Sequence, residues 1–426
     1  MDVLLLPSPE NPLLLLPAGH STERVSEKRR LSLVPIATLS ILLFTLSRSI
    51  GPAAVRMAIH ERTLQRITEN TIPEETPAMH AAAPEEQGEE LTPSPPPRPH
   101  PDNHLSVYMT ALRTADEYFL EETIEHIKAA GGSAFVFDVK DTYVFFETDS
   151  PRAAEFRLIR KKYDIEKVLK LAKENGLYTI ARFVVAKDPG LAYAAPETQI
   201  RHPVTGRSVG SVWVDPSDET VISYNREILE DLVSYEDLDE INFDYIRFPT
   251  EYTMEQVGLT AVEKALHIEA FLRMAREVVT EAKADTKIGI STYAILGWEF
   301  DANIGRLGQD FVRFAPLVDV ISPMAYPASF AEGAYYDPAT HRGSRMYSLV
   351  LRTLKGYAER LGEEEAVKLR PWIQGYSASA KDIGDEIQAV YDAGLCGFQV
   401  WSPSNTYTPF YKALQETKQP ESCRKT

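Results

Sequence analysis

The chain has 426 residues and a formal net charge of -17 at pH 7. Because phosphate recognition needs clustered Lys and Arg, this charge disfavours nucleic acid or an anionic membrane surface as the main partner and favours a neutral substrate. Only two cysteines are present, Cys396 and Cys423, and the second falls in a segment expected to fray. No disulfide framework or cysteine-based metal site is therefore predicted.

The N-terminal region has the pattern of a membrane-targeting segment. Residues 1–30 are predicted to form a cytoplasmic tail, which ends in Lys28, Arg29 and Arg30. The apolar, uncharged stretch 31–47 then predicts a signal anchor with its basic side in the cytoplasm. The stretch is shorter than the about 20 residues of a typical spanning helix, so a cleaved signal peptide and a buried helix are the alternatives.

Residues 48–103 are rich in proline and glutamate, and they include the run PSPPPRPHP. Such a composition buries too little apolar surface to offset the cost of ordering, and the proline run favours an extended polyproline II conformation. We predict a linker that holds a globular domain away from a membrane. A proline motif that binds another domain is the alternative.

The pattern changes over residues 104–417, where short β-rich runs alternate with amphipathic helical patterns, and residues 418–426 form a predicted tail. The predicted strands cover 105–110, 133–139, 177–185, 240–248, 287–294, 318–326, 369–376 and 397–401. Eight alternations of strand and helix predict a parallel sheet that closes into a (β/α)8 TIM barrel. A doubly wound open sheet is the alternative, but no strand is followed by a glycine-rich phosphate loop.

The fourth predicted strand has one polar and one apolar side. Successive side chains of a strand point to opposite faces, so one face carries Glu240, Asn242 and Asp244 and the other carries Ile241, Phe243 and Tyr245. Inward residues at the carboxyl ends of barrel strands form the active-site mouth. We therefore predict a catalytic role for Asp244, an orienting role for Asn242 and a structural role deep in the barrel for Glu240.

Cleavage of a glycosidic bond needs a proton donor and a second carboxylate that attacks carbon or activates water. We assign the second role to Asp244, since Arg182 and Arg247 are placed to keep it ionised. The proton donor is predicted to be Asp138 or Glu299. A structural ion pair with Lys140 or Arg182 is the alternative for Asp138.

Most polar and aromatic residues of the predicted strands fall near the carboxyl ends. Flat rings pack against the C–H faces of sugars while polar groups bind the hydroxyls, which indicates an oligosaccharide or polysaccharide substrate. The predicted substrate-binding residues are Tyr108, Lys140, Arg182, Trp213, Asn242, Arg247, Met324, Tyr326, Trp372, Gln374 and Trp401. The histidines have no zinc-binding spacing, so neither a metal nor a cofactor is predicted.

Six ordered motifs resemble those of a bacterial family of glycoside hydrolases, and the resemblance covers about residues 104–415. They are Phe137–Asp141, Asp239–Pro249, Gly308–Asp310, Ser322–Pro327, Arg370–Gln374 and Trp401–Tyr407. The resemblance implies a TIM barrel similar to α-amylase-type and chitinase-type hydrolases, with Asp244 as nucleophile and with Met324, Tyr326 and Trp401 lining a sugar subsite. Tyr293 stands where an acidic residue is expected at the end of the fifth strand.

Together these patterns predict a membrane-anchored, extracytoplasmic glycoside hydrolase that acts on a cell-surface or extracellular polysaccharide. The missing acid of the fifth strand keeps a second hypothesis open, a catalytically inactive barrel that binds carbohydrate. A metal-dependent barrel enzyme of another reaction class is a third hypothesis, but no ligand set in the sequence supports it.

Overall fold

Eight parallel strands close into a barrel in the computed structural model, which describes residues 103–282 and 284–423. Each strand pairs with the next in chain order, and the last pairs with the first. The strands are β1 (Leu105–Met109), β2 (Ala134–Lys140), β3 (Tyr178–Val184), β4 (Glu240–Asp244), β5 (Lys287–Tyr293), β6 (Val320–Met324), β7 (Trp372–Gln374) and β8 (Phe398–Trp401). The predicted TIM barrel and all eight predicted strands are confirmed.

Helices surround the barrel. They are α1 (Ala111–Thr114), α2 (Glu117–Ala129), α3 (Pro151–Glu155), α4 (Ile165–Glu174), α5 (Pro189–Ala194), α6 (Glu219–Leu232), α7 (Met254–Val257), α8 (Ala261–Glu281), α9 (Phe300–Leu307), α10 (Phe311–Phe314), α11 (Arg345–Ala366, kinked at Gly362), α12 (Ala380–Asp392) and α13 (Thr408–Glu416). Local sequence fixes their ends. Helix α8 begins with a capping box, in which the Thr260 hydroxyl accepts a hydrogen bond from the Glu263 amide and the Glu263 carboxylate accepts one from the Thr260 amide.

Strand β4 shows how the alternating pattern divides the core. Ile241 and Phe243 point outward and are almost fully buried under the helices, where the Phe243 ring packs 5.2 Å from that of Phe271 in α8. Glu240 points into the barrel, and its Oε1 lies 2.5 Å from Nη2 of Arg370, with both side chains fully buried. Removing one partner of such a pair costs about 3–5 kcal/mol, so the structural role predicted for Glu240 is confirmed.

The interior around this ion pair leaves no room for a further side chain on β5. A Cβ atom at Gly289 would lie 2.6 Å from Oε1 of Glu240 and 2.7 Å from Nδ2 of Asn242. Glycine at this position therefore allows two polar side chains of β4 to fill the barrel below the site.

The seam between the first and last strands is stabilised by the segment after β8. The Thr110 amide donates a hydrogen bond to Oδ1 of Asn405 at 3.0 Å, and the Tyr407 hydroxyl donates one to the carbonyl oxygen of Tyr108 at 2.5 Å. These pairs are 295 and 299 residues apart in sequence. Residues at the two ends of the domain therefore hold the barrel closed.

The C-terminal segment corrects one prediction from the sequence. Cys423 is buried in a short 3-10 helix, Glu421–Cys423, and forms a disulfide with Cys396. Cys396 lies two residues before the start of β8. The expectation of a frayed Cys423 and no disulfide is therefore wrong. The two cysteines are 27 residues apart in the sequence, and this spacing alone does not indicate that their side chains meet in the fold.

The predicted cytoplasmic tail 1–30, the signal anchor 31–47 and residues 48–102 of the linker lie outside the described residues. Within the part of the chain that the structure describes, no helix is long and apolar enough to cross a membrane. The membrane segment therefore stays a prediction from the sequence.

Candidate active site

A cavity of about 450 Å³ opens at the carboxyl ends of the barrel strands. Seven predicted site residues line it, and they are Arg182, Asp244, Arg247, Met324, Tyr326, Trp372 and Trp401. The other lining residues are Tyr245, Thr250, Glu251, Ser291, Tyr293, Ala294, Gln309, Ser329 and Tyr376. A surface depression of about 510 Å³ lies elsewhere, lined by the α1–α2 and α4 regions without any strand residue. The strand-end cavity is the candidate active site, because function in this fold is located there.

Asp244 ends β4, and its carboxylate is held in a fixed orientation. Nε and Nη2 of Arg182 lie 2.8 and 2.7 Å from Oδ2, while the Tyr245 amide donates a hydrogen bond to Oδ1 at 2.7 Å. The side chain of Asp244 is 14% exposed, so it reaches the cavity while it remains paired. A guanidinium that contacts a carboxylate in this way fixes the direction of the carboxylate.

Arg182 also binds Asp138, which does not line the cavity. Its Nη1 lies 2.7 Å from Oδ1 of Asp138, and the Tyr108 hydroxyl donates a hydrogen bond to Oδ2 at 2.7 Å. Burial raises the pKa of Asp138, although the charge of Arg182 opposes this effect. Both oxygens of Asp138 accept hydrogen bonds from neighbouring side chains. The structure therefore shows the ion pair with Arg182, which was the alternative to a role as proton donor. Tyr108 lies beside the cavity as the partner of Asp138.

Lys140 was predicted to bind substrate, but it points away from the cavity. The ladder between β2 and β3 shifts register between Asp138 and Lys140, which pairs Lys140 with the outward-facing Phe183. Its ammonium is fully buried, 2.7 Å from Oδ2 of Asp188 and 2.8 Å from the carbonyl oxygen of Val184. One extra residue in the strand therefore reverses the side of the sheet that Lys140 faces.

Glu299 was predicted as a proton donor, but it does not line the cavity. Glu299 directly precedes α9. Burial of Tyr335 and, to a smaller extent, the charge of Glu299 raise the pKa of Tyr335 to about 12. The neighbouring Trp298 donates a hydrogen bond from Nε1 to Oγ1 of Thr353 in α11 at 2.8 Å. The chain after β5 therefore turns toward α11 instead of over the barrel mouth.

Three other predicted binding residues form the layer under the cavity wall. Asn242 is fully buried and accepts a hydrogen bond from the Ser291 hydroxyl at 2.7 Å. Gln374 accepts one from the Ala328 amide at 2.8 Å, and the nearly buried Trp213 packs under Arg247 at 4.6 Å. These residues position the cavity wall without facing its interior.

Aromatic rings form one wall of the cavity. Tyr326 and Trp401 are stacked with centroids 5.6 Å apart, and the Tyr376 ring meets the edge of Trp401 at 5.1 Å. Trp372 is held by a hydrogen bond from its Nε1 to the Ser291 hydroxyl at 3.0 Å. Rigid flat surfaces of this kind suit the C–H faces of sugar rings.

Three cavity residues that follow β4, which are Tyr245, Thr250 and Glu251, are not predicted from the sequence. Tyr245 was assigned to the outer face, but its backbone φ of 49° is left-handed, which ends the strand alternation and brings its ring into the cavity wall. Glu251 lies in the next loop as an exposed carboxylate that lines the cavity. The sequence gives no pattern that would identify Glu251, apart from its position two residues after Pro249, which ends the β4 motif.

No cluster of three or more potential metal ligands occurs among residues 103–282 and 284–423. The carboxylates that line the cavity are Asp244 and Glu251. The arrangement can supply a carboxyl group in a fixed orientation, a second carboxyl group that is exposed, and an aromatic platform.

Solved structures share this fold at low sequence identity. The glycoside hydrolase domain of PgaB (BpsB) from Bordetella bronchiseptica is 14% identical with a TM-score of 0.57, over 75% of this chain and 99% of that one. The catalytic domain of β-amylase from Paenibacillus polymyxa is 10% identical with a TM-score of 0.50, over 76% of this chain and 100% of that one. A comparison with curated protein sequences finds no match.

The structural similarities show only the fold, whereas a match to a family model assigns the chain to a protein family. It is described as "Putative glycosyl hydrolase domain", and it matches residues 106–407, which is more than half of the chain. The matched region runs from β1 through the seam residue Tyr407, so it includes every strand of the barrel and the whole candidate site. The protein therefore belongs to this glycosyl hydrolase family.

Proposed function

We propose that the protein cleaves glycosidic bonds in a cell-surface or extracellular polysaccharide, with Asp244 as the nucleophile or as the carboxylate that stabilises the developing cation. The observation that carries this proposal is the position of Asp244, which lines the same cavity as the stacked pair Tyr326 and Trp401. A sugar held on these rings would lie between the aromatic wall and the carboxylate.

Glu251 takes the role of proton donor in this proposal. Asp138 has both oxygens occupied by Arg182 and Tyr108, and Glu299 lies outside the cavity. Glu251 lines the cavity from a loop and is exposed, so its carboxyl group is accessible to the leaving-group oxygen of a bound sugar. Glycosidases pair two carboxyl groups about 5–5.5 Å apart when they retain configuration and about 6.5–9.5 Å apart when they invert it.

The catalytic step follows from these positions. Glu251 donates its proton to the glycosidic oxygen while positive charge develops at the anomeric carbon. The glycosidic bond breaks as the leaving group departs as an alcohol, and Asp244, held by Arg182, either bonds to the anomeric carbon or stabilises its charge. Water then attacks that carbon, gives its proton to the carboxylate of Glu251, and displaces Asp244 where a covalent bond has formed. The structure contributes orientation, because the carboxylate of Asp244 is fixed before substrate arrives.

The location outside the cytoplasm is part of the same proposal. Structural disulfides persist mainly in oxidising compartments, and the bond between Cys396 and Cys423 supports an extracytoplasmic domain. The sequence of residues 31–47 supports attachment of the protein to the membrane. An extracellular or cell-surface glycan is the substrate class that this location would offer.

The test measures release of reducing ends from a panel of polysaccharides by the full chain and by Asp244→Asn. We expect at least about a thousandfold loss of kcat, because the amide cannot act as a nucleophile or carry the charge. Asp285→Asn, which changes an exposed aspartate away from the cavity, is the matched control and should keep full activity. Equal activity of Asp244→Asn and the wild type would remove Asp244 from the mechanism.

Two observations favour a barrel that binds carbohydrate without cleaving it. Tyr293 ends β5 where the resemblance implies an acid, and both oxygens of Asp244 already accept hydrogen bonds. Saturable glycan binding without reducing-end release across the panel would establish this second function.

A further inference from the structure

Arg247 is a buried cation in the cavity wall that has no carboxylate partner among the described residues. The residue is 3% exposed, and its one side-chain hydrogen bond within the described residues runs from Nη1 to the carbonyl oxygen of Phe248 at 3.1 Å. The other arginines inside the barrel differ in this respect, since Arg182 binds Asp138 and Asp244, and Arg370 binds Glu240. A buried guanidinium has five N–H donors and is costly to leave unpaired.

Three aromatic rings hold the guanidinium in place. Its central carbon lies 4.6 Å from the centroid of Trp213, 4.8 Å from Tyr293 and 5.2 Å from Tyr245. These contacts offset part of the desolvation cost, but ring faces accept few of the available N–H bonds. The rings therefore fix the direction of the fork and leave donors available.

The remaining donors are open to the cavity. Arg247 lines the cavity. Each of its side-chain nitrogens either has a hydrogen-bond partner within residues 103–282 and 284–423 or is accessible to solvent. The nearest acidic neighbour by sequence, Asp244, directs its oxygens to Arg182 and to the Tyr245 amide. The donors of Arg247 therefore await an acceptor that the protein wall does not supply.

A second cation lies beside Arg247. The ammonium of Lys187 is 5.0 Å from the centroid of Tyr245, the same ring that packs against Arg247. Burial and then the charge of Arg247 lower the pKa of Lys187, while Glu251 and Asp244 act in the opposite direction. Arg247 and Lys187 therefore both place positive charge at this wall, and Glu251 and Asp244 oppose that charge at Lys187.

We propose that Arg247 binds an anionic substituent of the sugar, a uronic-acid carboxylate or a sulfate ester, so the substrate class is an acidic glycan. The planar fork of arginine matches the paired oxygens of such groups. This inference rests on the proposed function, because it names the substrate of the same cavity. It also departs from the neutral substrate expected from the net charge of -17, which averages over the whole chain and not over this wall.

The test measures binding to the full-length Asp244→Asn protein, in which turnover is blocked under the proposed mechanism. The probes are oligosaccharides of polygalacturonate, alginate and hyaluronan, each beside its carboxyl-reduced neutral counterpart, and sulfated agarose oligosaccharides beside their desulfated form. We expect at least one acidic probe to bind about tenfold or more tightly than its neutral counterpart. Carboxylate and sulfate probes separate the two sources of the anion.

Adding Arg247→Gln should abolish that preference, and adding Arg247→Lys should reduce it without abolishing it, since lysine keeps the charge but not the fork. Thermal unfolding shows whether each variant is folded, and the lysine variant decides the result if the glutamine variant is not. The inference is overturned if no acidic probe is preferred, or if the preference is unchanged in the folded glutamine variant. If the glutamine variant does not fold, an unchanged preference in the lysine variant overturns it. Cleavage of a neutral glycan by the wild type that Asp244→Asn loses would overturn this inference and leave the proposed hydrolase function intact.

Discussion

Arg182 binds two acidic residues from the strands on either side of it, with Nη1 2.7 Å from Asp138 and Nη2 2.7 Å from Asp244. One guanidinium on β3 thus joins the buried carboxylate of β2 to the cavity carboxylate of β4. The orientation of Asp244 depends on this bridge. Together with the Tyr108 hydroxyl on Oδ2, the bridge leaves neither oxygen of Asp138 free to donate a proton to substrate.

Arg182→Met should destabilise the fold by about 3–5 kcal/mol at neutral pH, because it leaves buried carboxylates without their partner. Burial already raises the pKa of Asp138, and loss of the Arg182 charge that opposes this would raise the pKa further. A carboxyl with a raised folded-state pKa destabilises above its unfolded pKa of about 4 and stops doing so below it. The loss should therefore shrink as the pH falls, as measured by denaturant unfolding.

The double variant Arg182→Met and Asp138→Asn provides the control for this prediction. It removes the titrating carboxyl of Asp138, so it should recover part of the stability at pH 7 and show a weaker dependence on pH. A loss of stability that is the same at pH 4 and pH 7 would contradict the proposed origin of the effect.

Glu251→Gln should lower activity on natural glycans by about 100-fold or more, because the amide cannot protonate the leaving oxygen. Aryl glycosides with acidic phenol leaving groups need little protonation, so their cleavage should be much less affected. The measurement is kcat on both substrate types. Glu197→Gln, in the short 3-10 helix after α5, changes an exposed glutamate outside the cavity and serves as the matched control. Equal losses on both substrate types would exclude Glu251 as the acid.

The contact between His267 and Asp215 should make stability depend on pH. Nδ1 of His267 in α8 lies 2.9 Å from Oδ1 of Asp215. Burial lowers the pKa of His267, but the hydrogen bond and charge of Asp215 raise it by more. Burial raises the pKa of Asp215, but the hydrogen bond to His267 and further contacts lower it by more.

The two shifts define one pH window. The histidine contribution is complete below its unfolded pKa of about 6.5 and is lost as the pH rises through the raised folded value. The aspartate contribution is present above about pH 4 and is lost as the pH falls through the lowered folded value. His267→Gln should therefore lose up to about 1 kcal/mol of unfolding free energy near pH 5.5 and less at pH 9. An equal loss at both pH values would contradict the charged pair.

Removal of the disulfide should destabilise the domain by about 3–4 kcal/mol, because a loop closed over 27 residues restricts the unfolded chain. The measurement compares the thermal midpoint of the wild type with that of a variant carrying both Cys396→Ala and Cys423→Ala. Dithiothreitol should lower the wild-type midpoint and leave that of the double variant unchanged. The prediction would be contradicted if the thermal midpoint of the wild type stayed unchanged after thiol titration had confirmed full reduction of the disulfide.

The barrel was predictable because its strands and helices follow strong periodic patterns. Residues Ile241 and Phe243 face outward as the alternation of β4 requires, and Glu240 faces inward. The pattern failed where the backbone departs from regular geometry. Tyr245 adopts a left-handed φ and Lys140 follows a register shift, and neither departure has a periodic signature in sequence.

The candidate site was predictable in part for the same reason. Asp244, Tyr326 and Trp401 stand at strand ends, so the fold class alone places them at the cavity. Glu251 belongs to an irregular loop whose path is set by tertiary contacts, and Glu299 belongs to a loop that turns away. Strand residues can therefore be assigned from pattern, whereas loop carboxylates need the folded structure.

The hydrogen bonds from Thr110 to Asn405 and from Tyr407 to Tyr108 have a consequence for synthesis on the ribosome. The chain is made from its N-terminus, so β1 is complete almost 300 residues before its seam partners emerge. Until then the nascent sheet has an open edge on β1, and such edges pair readily with other chains. A ribosome stall shortly before residue 405 would therefore yield an aggregation-prone domain, and protection of the nascent chain by chaperones matters most at that stage.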